Sequence, residues 1–203
     1  MADPLLPLAD LPLADDRRRR EDRGVGQDAI APDTKDWTWV LDRPCPECGF
    51  EAAAVAAEEV APATERLTAP WSEVLARPGA RERPAPDRWS PLEYGCHVRD
   101  VCRVFAGRVR LVLDHDGAEF ENWDQDESAR RGRYDEQDPA VVAQQLAGDA
   151  RGLAEAFGHV RDDAWDRTGT RSNGSRFTLL TLGRYCLHDL AHHLHDVGVA
   201  RPA

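Results

Sequence analysis

An all-α fold, an antiparallel four-helix bundle behind a disordered N-terminal tail, is predicted by three features of the 203-residue sequence. Four segments repeat apolar residues at steps of three and four, the period of a helix with one buried face. No stretch sustains the alternation of a long strand. The joints between the four segments hold helix caps and breakers. Packing the four apolar faces against one another buries them all.

The first helical segment, residues 57–76, puts Val60, Ala63, Leu67, Trp71 and Leu75 on one face. Pro62 fits a first turn, whereas Pro70 is interior and should kink or split the helix. Ser90-Pro91-Leu92-Glu93 is a start signal, with a capping serine, a proline at the first helical position and the glutamate of a capping box. The second helix then runs to about Asp116, with Tyr94, Val98, Val101, Phe105, Val109 and Val112 toward the core and Gly117 as a stop. Residues 117–137 read as a long acidic loop anchored by Trp123 and Tyr134. Asp138-Pro139 opens the third helix, which turns Val141, Leu146, Leu153 and Phe157 inward and ends near His159. Asn173-Gly174 marks a tight turn and a small hairpin. The fourth helix spans residues 179–197, with Gly198 at its C-terminal cap.

Composition narrows the function. A formal net charge of −11 disfavours nucleic acid and an anionic membrane surface as partners. No apolar run reaches the length of a membrane span. Residues 1–36, rich in Pro, Asp and Arg, read as a disordered tail, with Arg17–Arg20 a solvated cluster among acidic neighbours. The first residues lack the basic start and compact apolar core of a secretory signal, so a cytoplasmic protein is expected. Residues 37–56 are too apolar for a linker and should lie over the bundle of residues 57–198 as an extended covering segment. Five scattered cysteines do not form a secreted disulfide framework.

Four of the seven histidines fall in CLHDLAHHLHDVG, residues 186–198. His188 and His192, four apart, lie one above the other on a helix and can grip one ion. That ridge continues through Thr181, Tyr185 and His195, whereas His193 is rotated away and should be exposed. A catalytic zinc site needs a third protein ligand, and His97, at the edge of the second helix's core stripe, is the candidate. Three neutral imidazoles suit zinc, nickel, copper or ferrous iron.

RWSPLEYGCHV and LHDLAHHLHDV together resemble the second-helix and last-helix signatures of DinB-like metal-binding bundles, over about residues 57–198. The resemblance implies a four-helix bundle with a divalent metal, zinc or nickel foremost, held by His97, His188 and His192. It also implies relatives that use low-molecular-weight thiols, the mycothiol-dependent maleylpyruvate isomerases and the bacillithiol transferases. In the isomerase branch a glutamate replaces the first ligand of the last-helix pair, where this chain has His188. The implied function is a thiol-dependent transferase or isomerase, with mycothiol as cosubstrate. The implied partners are a small electrophile and the thiol, and a homodimer is compatible with both. Tyr185, Asp189 and His195 are candidates for contacting substrate or supporting the ligands, by position alone.

Two rival readings accompany this one. His188-Asp189-Leu190-Ala191-His192 has the spacing of the H-E-x-x-H hydrolase motif, with a shorter carboxylate as base. A non-enzymatic metal-binding or regulatory bundle fits as well. Cys45-Pro46-Glu47-Cys48 reads as a tight turn of bystander thiols, because no second C-x-x-C accompanies it.

Overall fold

The computed structural model describes residues 30, 31 and 35–202. Most of the expected tail, residues 1–36, lies outside the described residues. The rest is mostly helical, with one small three-stranded sheet.

The first helical segment begins with a 3-10 turn at Ala57–Glu59 and divides into α1 (Val60–Thr68) and α2 (Trp71–Leu75). The break falls at Ala69-Pro70, where the proline ring cannot continue the helix. Helix α3 (Pro91–Asp114) starts from the expected capping box: Ser90 accepts from Glu93 N, and Glu93 accepts from Ser90 N. Glu93 also pairs with Arg83, which ties the preceding loop to this helix end. The predicted stripe of α3 is buried, apart from a partly exposed Tyr94.

The acidic stretch departs from the expected loop. It holds strand β1 (Ala118–Phe120) and helix α4 (Gln125–Gly132), then a 3-10 turn at Tyr134–Glu136. Helix α4 buries no residue, so its sequence carries no apolar period to find. It rests on the Asp124 cap and on pairing of Glu127 with Arg130 and Arg131. Trp123 and Tyr134 are anchors as expected: Trp123 Nε1 donates to Ser128 Oγ at 2.7 Å, and buried Tyr134 donates to Asp100.

Helix α5 (Pro139–Gly158) is capped by Asp138, which accepts from Ala140 and Val141 N. Its first apolar contact is one residue later than the periodicity predicts: Val142 is fully buried and Val141 is 50 % exposed. Strands β2 (Thr168–Arg171) and β3 (Arg176–Thr178) form the expected hairpin, with Gly174 at φ +92° in its turn. Strand β1 joins β2 in parallel, an addition to the predicted all-α fold. Helix α6 (Leu179–Asp196) ends in a Schellman motif, Gly198 N donating to His195 O and Val199 N to Leu194 O.

Helices α1 and α3 each pack against both α5 and α6 around one core. Residues 35–56 run along the outside of α6. They bury Val40, Cys45, Phe50 and Ala52, and Arg184 of α6 holds the segment's Val55 carbonyl at 2.8 and 2.9 Å.

The register of α5 gives a direct check. Val142→Ala should cost about 1–3 kcal/mol by loss of buried methyls. Val141→Ala should stay within about 0.5 kcal/mol, as surface changes do. Urea unfolding of the two variants measures both.

Candidate metal centre

The histidine-rich half of α6 offers two ladders of ligands, because residues four apart share a face. His188 and His192 form one ladder, and Asp189 and His193 form the next, turned about 100° round the helix. The structure sends the two ladders to different partners.

Asp189 and His193 meet His97 of α3. Asp189 Oδ1 lies 3.4 Å from His97 Nε2 and 3.4 Å from His193 Nε2. His97 is completely buried between two indoles, stacked on Trp123 at 5.3 Å and tilted against Trp89 at 5.4 Å. Both its ring nitrogens and Asp189 Oδ1 are buried without a hydrogen bond. Asp196 accepts a hydrogen bond from His193 Nδ1 at 2.8 Å, and that tautomer leaves Nε2 as the basic nitrogen facing the cluster.

Electrostatics keeps these groups in the form that binds cations. Burial, opposed by neighbouring Asp189, lowers the His97 pKa, so its ring is neutral. For Asp189, burial pushes the pKa up, but His97, His193 and His188 together outweigh it and hold the carboxyl at about 2. The Asp189 side chain retains 25 % exposure although Oδ1 is buried, so the carboxylate spans the cluster and an adjoining cavity.

That cavity, of about 260 Å³, is bordered by both ladders, His188 and His192 as well as Asp189 and His193, and by Trp37, Trp89, Tyr94 and Tyr185 among others. Burial, with Asp196 adding to it, pushes the Tyr94 phenol up to about 12, so Tyr94 is a proton donor at neutral pH. Tyr185 sits between Phe105 and Phe177, and burial raises its pKa too.

His188 and His192 meet Cys45 and Cys48 of the covering segment. Cys45 Sγ is 3.7 Å from His192 Nδ1. His188 is 4 % exposed, packed near Trp37 and Phe50, and its Nε2 has no hydrogen bond. Burial brings the His188 pKa down to about 4. Both cysteines are free thiols, and burial pushes Cys48 up to about 11.

The three histidines singled out by the sequence are therefore divided. Among the described residues, His97 shares no group of ligand distance with His188 and His192. Asp189, a candidate supporting residue by sequence, stands in the His97 cluster. His195 is exposed, and Tyr185 borders the cavity. His193, expected to be exposed, is partly buried with its ring 4.7 Å from that of His97. The signal for it was present, since Asp189 and His193 have the same spacing as His188 and His192. The CPEC turn, expected to be a bystander, faces the other ladder.

Both groups fit a divalent cation. Tetrahedral zinc with bonds of about 2.0–2.1 Å spaces nitrogen and oxygen ligands about 3.3–3.4 Å apart, the spacing around Asp189 Oδ1. Such an ion would satisfy Asp189 Oδ1 and His97 Nε2, two of the buried atoms left without a hydrogen bond.

In comparison with known proteins, no curated protein and no solved structure matches the chain. A family model does match, over residues 62–197, which include α3, α6 and His97, Asp189 and His193. By that match, over well more than half of its length, the chain belongs to the DinB superfamily.

Proposed function

We propose that the chain is a DinB-type four-helix bundle that uses a divalent metal to activate a low-molecular-weight thiol for transfer to, or isomerisation of, a small electrophile. The observation that carries this reading is the three-ligand cluster of His97, Asp189 and His193 beside a cavity. Three protein ligands leave one position of a tetrahedral shell for an exogenous molecule, the arrangement of catalytic rather than structural sites. The ligand ladder on α6 is then Asp189/His193 instead of His188/His192. A carboxylate then takes the first place of that ladder, whereas the resemblance puts His188 at the position of the isomerases' glutamate. Zinc, nickel or ferrous iron suits two imidazoles and a carboxylate.

A cation at this site supplies a Lewis acid that makes a coordinated thiol lose its proton at neutral pH. The chain's own residues do the rest. Asp196 fixes the His193 ring through Nδ1, so Nε2 stays aimed at His97 and Asp189. Trp89 and Trp123 enclose His97 and keep water from its ring. Tyr94, protonated in its buried position, is placed on the cavity wall to donate a hydrogen bond to an electrophile's oxygen. In a transfer, the thiolate sulfur bonds to the electrophilic carbon, the leaving group departs with the bonding pair, and the thiol proton passes to solvent.

The hydrolase reading through His188-Asp189-x-x-His192 is less well supported. It needs both histidines on the ion and the carboxylate free as a base, whereas Asp189 stands among the ligand atoms of the other cluster.

Two outcomes are expected. Asp196→Asn should weaken zinc or nickel binding about 10–100-fold, the usual effect of removing the group behind a ligating histidine, and His97→Ala should weaken it further. Equilibrium dialysis reads both. In an assay with mycothiol and a small aryl halide, thiol consumption should require added metal and be lost in Asp189→Asn. Consumption unchanged by chelation or by Asp189→Asn would contradict the thiol reading.

A further inference from the structure

We infer that Cys45, Cys48, His188 and His192 form a second metal site, a closed Cys2His2 zinc centre that staples the covering segment onto α6. It is separate from the three-ligand cluster and does not depend on the function proposed for it.

The geometry is that of a structural zinc site. All four donors lie within 4.8 Å of one another, drawn from two elements. Their spacing is C-x2-C and H-x3-H, within the range by which paired sulfur and nitrogen ligands reach one ion. Zinc bonds of about 2.3 Å to sulfur and 2.0–2.1 Å to nitrogen put those ligands about 3.5–3.6 Å apart. The observed Cys45 Sγ to His192 Nδ1 separation is 3.7 Å.

The loop is built to present both thiols. Gly49 N donates to Cys45 O at 2.9 Å and Cys45 N to Phe50 O at 2.9 Å, closing a tight turn around the pair. Gly49 sits at φ +66°, a conformation that a side chain would strain. His188 contributes an independent sign of a missing partner, a buried Nε2 with no hydrogen bond. Two thiolates and two imidazoles select zinc over the harder divalent ions. On binding, each thiol releases its proton to solvent and its sulfur lone pair bonds the ion, with no change of oxidation state.

Four protein ligands leave no open position, so this centre holds structure instead of substrate. It joins the family-matched bundle to the segment that precedes the match. His188 and His192 lie inside the residues matched by the family model, while Cys45 and Cys48 lie before them. The joined segment carries Trp37 and Glu47, which wall the cavity beside the three-ligand cluster. Zinc at the closed site therefore fixes one wall of the cavity.

The test uses the purified full chain, stripped by a chelator and reloaded with cobalt(II). Wild type should gain thiolate-to-cobalt charge-transfer absorption in the near ultraviolet. His97→Ala should keep that band, and Cys45→Ser/Cys48→Ser should lose it. Cobalt-loaded wild type without the band, or a band that survives in the double variant, overturns the proposal. Should the double variant fail to fold, alkylation of wild type decides: zinc should block iodoacetamide modification of partly exposed Cys48, read by peptide mass. Equal modification with and without zinc overturns the proposal.

Discussion

Burying a polar side chain without a partner costs on the order of 1–3 kcal/mol, and more when the group is charged. Helices α3 and α6 concentrate that cost at one end of the molecule. His97, His188 and Asp189 each carry buried atoms with no hydrogen bond. Packing of the apolar faces around them fixes both helices, so fully buried His97 cannot relax into solvent. A divalent cation would satisfy Asp189 Oδ1 and one of the two His97 nitrogens. The same logic extends to His188, whose neighbours include two free thiols.

One helix serves both clusters because successive i, i+4 ladders are turned about 100° from each other. His188/His192 looks out toward the covering segment, and Asp189/His193 looks across to α3. Each cluster has its own aromatic neighbours, Trp37 and Phe50 by His188 and Trp89 and Trp123 by His97, although the His192 and His193 rings approach to 5.9 Å. With ions bound, ligand number would separate their roles. Four protein donors close a shell, and three leave it open toward a cavity whose wall the closed site would hold in place.

Much of the fold was legible in the sequence, and for identifiable reasons. The capping box at Ser90, the cap at Asp138, the break at Pro70 and the stop at Gly198 each satisfy backbone groups locally. Helix α4 was hidden because capping and surface charges hold it without an apolar face. Strand β1 was hidden because three residues are too few to reveal alternation. Placing Val141 inward failed by one residue, since a helix entered through a proline cap can start its buried face at either valine. The site was legible as a region and ambiguous as a ligand set. Spacing points to α6 as a candidate metal-binding helix, but two overlapping ladders have the same spacing, and the packing of α3 and the covering segment brings each to different neighbours. The CPEC turn had no second cysteine pair to announce it, because the donors nearest it are histidines 140 or more residues on.

The central claim is that α6 serves two separate ions through alternate ladders. Anomalous diffraction at the zinc edge, from crystals of zinc-loaded full-length protein, tests it most directly. Two anomalous peaks are expected, one among His97, Asp189 and His193 and one among Cys45, Cys48, His188 and His192. A single peak bound by His97, His188 and His192 together would contradict it.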